Sequence, residues 1–293
     1  MEPRVGFIGL GVMGLPMAEH VAKKFPTVVY DVSPERSKGF PEESRGGSVS
    51  DVGSRSDVVL LSLPSSAIVE EVVLGSEGLI TVLKAGSAII DNSTTDPGIS
   101  RKMAGALAEK GIDFLDAPVS GGEGGAKKAG LSIMAGGSQE VFDRYLPVLE
   151  TMGTTIVRVG EVGTGGVAKL VNNMIVGSTF VVAAEGFALA KKAGLDPKVL
   201  YEAIRNGWAG SPVLDVAAPA MYNHDFNPPG GTNIIYKDLG YALDLAKQYD
   251  APVPMTSQVA EVFKTARAKG YGNLFQPGII QLWEAVLGIR LDQ

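Results

Sequence analysis

Lys169 and Asn173 stand four residues apart in the segment Gly163-Thr164-Gly165-Gly166-Val167-Ala168-Lys169-Leu170-Val171-Asn172-Asn173, where glycines give way to a long apolar stretch. At helical spacing both side chains share one face, so an ammonium and an amide can converge on one small polar group, as proton transfer requires. The apolar run Met174 to Ala184 continues the pattern and predicts a helix with most of its circumference buried. A desolvated lysine or asparagine must find a partner there. In the plainer reading, Lys169 reaches solvent along its aliphatic stem and the asparagines cap neighbouring backbone.

The remaining composition narrows the chemistry. The 293 residues contain no cysteine, which removes thiolate catalysis, disulfides and thiolate metal ligands. The histidines are His20 and His224, neither with a second histidine at ligand spacing, so no metal is expected. A net charge of -6 without a basic run argues against nucleic acid or an anionic membrane as partner. At 45% hydrophobic content with 38 glycines, the chain reads as a soluble α/β protein with room for two domains. Met1-Glu2-Pro3-Arg4 leads straight into a strand pattern without a signal-peptide core, making cytoplasm the expected compartment.

These residues need a scaffold. Val5–Ile8 and Thr27–Tyr30 read as strands around a helix at Leu15 to Lys24, a complete βαβ unit. Val58–Ser62, Ser87–Asp91, Asp113–Leu115 and Leu131–Met134 are further strands, mostly with helical stretches between them, which predicts a doubly wound, mainly parallel sheet. From Val167 to Ala193 the pattern gives about 27 residues, roughly 40 Å, of helix, which Gly194 stops. Charged and amide residues interrupt this helix, so it should not span a membrane. Helices follow at Lys198–Arg205, Tyr236–Gln248, Val253–Lys269 and Pro277–Leu287. The division drawn is residues 1–163 for a dinucleotide-binding domain and 164–293 for an all-helical substrate and oligomerisation domain.

Gly9-Leu10-Gly11-Val12-Met13-Gly14 lies between the first strand and the first helix, the context in which G-x-G-x-x-G has mechanical meaning. Gly9 permits the tight turn, Gly11 lets a pyrophosphate approach the backbone, and Gly14 allows close packing of helix on strand. Asp31, 17 residues beyond Gly14, is placed to bind the adenosine ribose hydroxyls and repel a 2′-phosphate. NAD is thus favoured, with Arg36 close enough to keep NADP as the alternative. Leu63-Pro64 and Asn92-Ser93-Thr94 follow strand ends, where open α/β sheets bind ligands, although each could equally belong to an ordinary helix cap.

Four segments together resemble the short-chain β-hydroxyacid dehydrogenases, of the 3-hydroxyisobutyrate dehydrogenase and tartronate semialdehyde reductase type. They are Gly9 to Ala18, Asp116-Ala117-Pro118-Val119-Ser120-Gly121-Gly122, Gly163 to Asn173, and Lys237-Asp238-Leu239. The resemblance spans almost the whole chain and implies a Rossmann-type domain, a helical C-terminal domain and a homodimer or homotetramer. It also implies that Ser120, Gly121 and Gly122 hold a substrate carboxylate and that Lys169 is the acid/base. Asn173 would orient the substrate, and Lys237 would line the active site beside the cofactor. The expected reaction is hydride transfer between a nicotinamide and a small 3-hydroxy acid such as 3-hydroxyisobutyrate, L-serine, 3-hydroxypropionate or glycerate. Imine or semialdehyde reductases of the same fold, and a non-catalytic dehydrogenase-like module, are the alternatives. Lys169 speaks against an imine reductase, and intact Lys169 and Asn173 with no basic reader domain speak against a module without catalysis.

Two stretches bear on substrate identity. Gly207 to Asp215 resembles the tartronate semialdehyde reductase branch, with Trp208 either a pocket wall or core. Where the family often carries a phenylalanine before its Lys-Asp-Leu, this chain reads Pro228-Pro229-Gly230-Gly231-Thr232.

Overall fold

The computed structural model describes residues 2–227 and 231–293. The chain forms two compact units, Met1–Lys169 and Leu170–Gln293.

The first unit carries eight strands: β1 (Val5–Ile8), β2 (Thr27–Tyr30), β3 (Val58–Leu61), β4 (Ala88–Asp91), β5 (Asp113–Asp116), β6 (Val119–Ser120), β7 (Leu131–Gly136) and β8 (Gly153–Gly160). Their order is β2-β1-β3-β4-β5-β7-β6, with β8 on β7. Strands β1 to β5 pair in parallel, as the uninterrupted apolar runs VGFI and VVLL predict for strands buried on both faces. Alternate residues enter different cores: Phe7, Leu60 and Ile90 pack in one, Ile8, Leu61 and Ile89 in the other. The sheet is therefore covered twice.

The parallel run ends at β5. Strand β7 lies antiparallel to β5 and β6, and β8 returns parallel to β7. Neither β6 nor β8 is expected from the sequence. β6 is two residues long, and β8 mixes Thr154, Thr155 and Arg158 with valines because much of it is exposed.

Six helices serve the sheet: α1 (Gly14–Ala22), α2 (Val49–Ser54), α3 (Ser66–Leu74), α4 (Pro97–Ala108), α5 (Gly122–Lys127) and α6 (Gln139–Leu149). Starts are marked locally. Ser65 accepts the Ile68 amide, and Asp96 accepts those of Gly98 and Ile99 with Pro97 in the first turn.

A single helix, α7 (Thr164–Lys192), runs through the division between the units, and Gly194 follows it at φ +88. The second unit continues with α8 (Pro197–Ile204), α9 (Pro212–Tyr222), α10 (Gly231–Gln248), α11 (Pro254–Ala268) and α12 (Ile280–Leu287). Its core joins Phe180, Phe187, Leu214, Ile235, Leu239, Phe263 and Ile280. Helix α9 is not expected from the sequence. Ser211 caps it and Pro212 opens it, but Pro219 in its interior interrupts the pattern.

The expectation that most of the α7 circumference is buried is corrected. Leu170, Asn173, Gly177, Phe180, Val181, Ala184, Phe187 and Ala188 make a buried stripe, whereas Val171, Ile175, Val182 and Leu189 are exposed. Apolar residues on both faces give no signal for which face this chain covers. By length and composition α7 could cross a membrane, with 33% of its most apolar window buried.

Candidate active site

The glycine fingerprint has the local geometry its mechanism needs. Gly9 sits at φ +97, and a Cβ there would overlap the Ser62 carbonyl oxygen. A Cβ at Gly14 would overlap the carbonyl of Gly9, so Gly14 lets α1 close onto the turn. At Gly11 a Cβ would meet nothing within 4 Å. The start of α1 receives no side-chain cap. Open backbone at an uncapped helix N-terminus fits a pyrophosphate.

Asp31 follows β2 and is buried. Its Oδ2 accepts the Leu10 amide at 2.7 Å and its Oδ1 the Ser33 amide at 2.8 Å, which fixes the carboxylate beside the glycine turn. Arg36 approaches it at 3.3 Å with a half-exposed guanidinium. The predicted cofactor-lining turns are joined: the Leu63 amide donates to Ser93 Oγ at 2.8 Å. Asp91 holds the second turn by accepting from the Ser93 amide at 2.9 Å and Thr95 Oγ1 at 2.6 Å. Asn92 Nδ2 donates to the Ala117 carbonyl at 2.8 Å, while its buried Oδ1 has no protein partner. An orphaned acceptor at a strand end suits a ligand bearing a donor, such as a carboxamide. Pro64 is exposed and Thr94 half-buried in the same turns.

Ser120 closes β6, paired with Ser132. Gly121 at φ +135 and Gly122 at φ +61 follow it, and a Cβ at Gly122 would meet nothing within 4 Å. A Cβ at Gly121 would lie 3.1 Å from the Leu131 side chain, so the open backbone of this turn is at Gly122, where an anion could approach.

Within the same unit the start of α7 is seated on strand ends. Asp116, at the end of β5 and buried, accepts the Gly163 amide on Oδ1 and the Gly166 amide on Oδ2, both at 2.7 Å. Burial pushes this carboxyl up to about 7; the two amides pull it down, and the charge of Asp91, its register partner on β4, pushes it up again. A Cβ at Gly165 would overlap the carbonyls of Asp116 and Met134. The glycines before Lys169 are there for this close approach.

Lys169 is half-buried and Asn173 buried, one turn apart on α7. In the second unit Asn173 Nδ2 donates to Asp238 Oδ2 at 2.6 Å, and Asn172 Nδ2 donates to Asn173 Oδ1 at 2.9 Å. Lys237 Nζ lies 3.1 Å from Asp238 Oδ1 and 5.1 Å above the Tyr241 ring. Asn173 and Lys237, distant in sequence, thus meet on one buried carboxylate. In the sequence Asp238 is marked only as part of a motif, and its hydrogen bond to Asn173 spans 65 residues.

Two expectations change. Trp208 is fully exposed at 107%, so the core reading fails; it lies in the turn between α8 and α9. Of the loop before Lys-Asp-Leu, Pro228, Pro229 and Gly230 lie outside the described residues, while Gly231 and Thr232 open α10. Elsewhere His224, Glu284 and Asp292 bring possible metal ligands within 4.8 Å. Their atoms are engaged: Glu284 bonds His224 and the Leu291 amide, and Asp292 pairs with Arg290 at 2.7 Å.

A twice-covered sheet with an open glycine turn, a buried acid held against that turn and an orphaned acceptor at a strand end fits a nicotinamide-dinucleotide-dependent oxidoreductase. Residues 4–160 match the family described as the NAD binding domain of 6-phosphogluconate dehydrogenase, and residues 163–283 that described as NAD-binding of NADP-dependent 3-hydroxyisobutyrate dehydrogenase. The chain is 36% identical to 2-(hydroxymethyl)glutarate dehydrogenase of Eubacterium barkeri, covering 99% of this chain and 97% of that one. It is 37% identical to mitochondrial 3-hydroxyisobutyrate dehydrogenase of Mus musculus, covering 92% and 83%. A crystal structure of 3-hydroxyisobutyrate dehydrogenase from Salmonella typhimurium superposes with a TM-score of 0.87 at 28% identity, covering 95% and 99%. The chain belongs to the β-hydroxyacid dehydrogenase family and is an NAD(P)-dependent dehydrogenase.

Proposed function

We propose that this enzyme interconverts the primary alcohol of a small 3-hydroxy acid and its semialdehyde, with NAD preferred over NADP. The bound nicotinamide supplies or accepts the hydride. Lys169 takes the hydroxyl proton during oxidation and, protonated, polarises the carbonyl during reduction. The observation that carries the reading is the polar set on one side of α7: Lys169 followed one turn later by Asn173, which Asp238 fixes at 2.6 Å. Such a network orients a small polar substrate; a helix serving packing alone has no use for it.

Ser120, Gly121 and Gly122 receive the carboxylate, with Lys237 contributing charge beside substrate and cofactor. Gly9 to Gly14 bind the pyrophosphate and Asp31 the ribose, while Leu63, Pro64, Asn92, Ser93 and Thr94 line the nicotinamide side. Residues 1–163 act as the cofactor domain and 164–293 as the substrate and oligomerisation domain. The exposed residues Val171, Ile175, Val182 and Leu189 support a homodimer or homotetramer. The enzyme works in the cytoplasm on a free small molecule, without nucleic acid or membrane. The relatives named for 3-hydroxyisobutyrate and 2-(hydroxymethyl)glutarate suggest a carboxylate one carbon from a hydroxymethyl group.

A substrate panel with both cofactors tests this. Stranding the carboxylate donors with a methyl ester or amide costs about 1–3 kcal/mol for each unpaired group. Free 3-hydroxy acids should then exceed those analogues at least ~10-fold in kcat/KM. Equal efficiency on a neutral alcohol, or on an imine, refutes the assignment.

A further inference from the structure

Asp116 has no part in the hydride or proton transfer described above, yet it is among the most constrained side chains in its unit. It is 2% exposed and sits where β5 ends, and each carboxylate oxygen accepts one amide from the start of α7, Gly163 on one and Gly166 on the other, at 2.7 Å. The first amides of a helix have no intrahelical partner, and a negative charge there also meets the positive end of the helix dipole. A serine, asparagine or aspartate just before the helix would serve as an ordinary cap, as Ser65 and Asp96 do for α3 and α4. Here the acceptor comes instead from a strand end 47 and 50 residues away, so it fixes where the helix starts relative to the sheet as well as satisfying its donors.

The surroundings remove slack. A Cβ at Gly165 would overlap the carbonyl oxygens of Asp116 and Met134, and one at Gly136 would lie 2.5 Å from Asp116 Oδ1. A Cβ at Gly166 would lie 3.2 Å from both the Thr95 carbonyl and Pro97. Backbone therefore packs on backbone around the carboxylate. Lys169 follows Gly165 and Gly166 by four and three residues, one turn above this seat on the same side of the helix. Burying the carboxylate carries a cost, seen in its pKa of about 7, which a mere helix cap would not require.

We propose that Asp116 is a positioning residue for the reaction: its two-amide clamp holds the first turn of α7 so that the Lys169 amine stays where the proton is transferred. The proposal rests on the acid/base reading of Lys169. Displacements of about 1 Å in a reacting group can cost on the order of 10²-fold in rate, so a clamp of this kind is read in turnover.

The test is Asp116→Asn in the full chain. Its amide oxygen can keep one bond, but its NH2 group faces the other amide hydrogen. We expect kcat on a 3-hydroxy acid to fall ~10- to 100-fold, with KM and the NAD dissociation constant each changing less than about 3-fold. A double-mutant cycle separates positioning from general weakening: Lys169→Ala with Asp116→Asn should be no slower than Lys169→Ala alone, because Asp116 acts through the lysine. A folded Asp116→Asn enzyme with kcat within about twofold of wild type, or losses that multiply in the double variant, overturns the proposal. Should Asp116→Asn not fold, Gly166→Ala shifts the same turn gently and must give the same kcat loss and the same non-additivity; its failure to do so also overturns the proposal. Full activity in Lys169→Ala would instead sink the acid/base reading, which distinguishes the two failures.

Discussion

At the start of α1 no side chain caps the first turn, and a methyl group added at Gly11 would meet nothing within 4 Å. At the start of α7 the amides of Gly163 and Gly166 are already held by Asp116, and a methyl group at Gly165 would run into two backbone carbonyls. Both helices start within glycine-rich turns and face the same electrostatic need, an anion for their orphan amides. The first leaves that place open. The second fills it with the protein's own carboxylate, so its glycines serve seating rather than binding. Glycine-rich helix starts therefore divide by what lies above them, an open space or a strand end.

The comparison breaks most severely if the chemistry does not ride on α7. Lys169→Ala should lower kcat by about 10²- to 10⁴-fold, the usual range for losing a positioned acid/base, with cofactor affinity nearly unchanged. Steady-state kinetics beside a fluorescence titration with NAD would check it; turnover above a tenth of wild type removes the proposed role.

The filled helix start should also be visible in stability. The Asp116 carboxyl is raised from 3.8 to about 7, so between these values the native state holds a proton that the unfolded chain has released. Its contribution is fully present below about pH 4 and is lost as pH rises toward 7, on the order of 4 kcal/mol at most. Denaturant melts across this window should show wild-type stability falling relative to Asp116→Asn as pH rises. Parallel curves would mean that Asp116 titrates normally.

The two glycine classes should separate by readout. Gly11→Ala, into open space, should leave the melting temperature nearly unchanged but raise the NAD dissociation constant at least ~10-fold, by putting a methyl group where the pyrophosphate approaches. Gly165→Ala should instead destabilise the fold by about 1–3 kcal/mol or more through overpacking. Thermal melts paired with NAD titrations decide this, and the distinction collapses if both variants lose only affinity or only stability.

The smallest effect concerns the open site's choice of cofactor. Asp31→Asn should narrow the NAD over NADP preference up to ~10-fold, because it removes the charge that repels a 2′-phosphate while Arg36 remains beside it. A higher kcat/KM with NADP in the wild type would mean that Arg36 governs recognition.

Local conformation makes much of the molecule legible in its residues alone. Gly9, Gly11 and Gly14 mark a turn whose spacing fits strand, phosphate and helix, and the apolar runs of β1 and β3 can be only central strands or core. The end of α7 follows from Gly194, which takes the left-handed conformation at φ +88. Periodicity fails where burial is partial or interrupted. Half-exposed β8 mixes polar and apolar residues, and Pro219 breaks the pattern of α9.

What the sequence by itself determined is whatever a few neighbouring residues settle: the βαβ start, the cofactor turn, the acid after β2 and the lysine one turn before an asparagine on a long helix. Only the tertiary structure decided which carboxylates serve these residues. Asp116 reaches the start of α7 across 47 and 50 residues, and Asp238 fixes Asn173 across 65. It also decided that Trp208 and one apolar face of α7 stand exposed. The reason is physical: backbone preference and side-chain periodicity act over one or two turns and leave a pattern in the sequence. A buried carboxylate finds its amides through the packing of strands and helices far apart in the chain, and neither partner carries a local mark of the other.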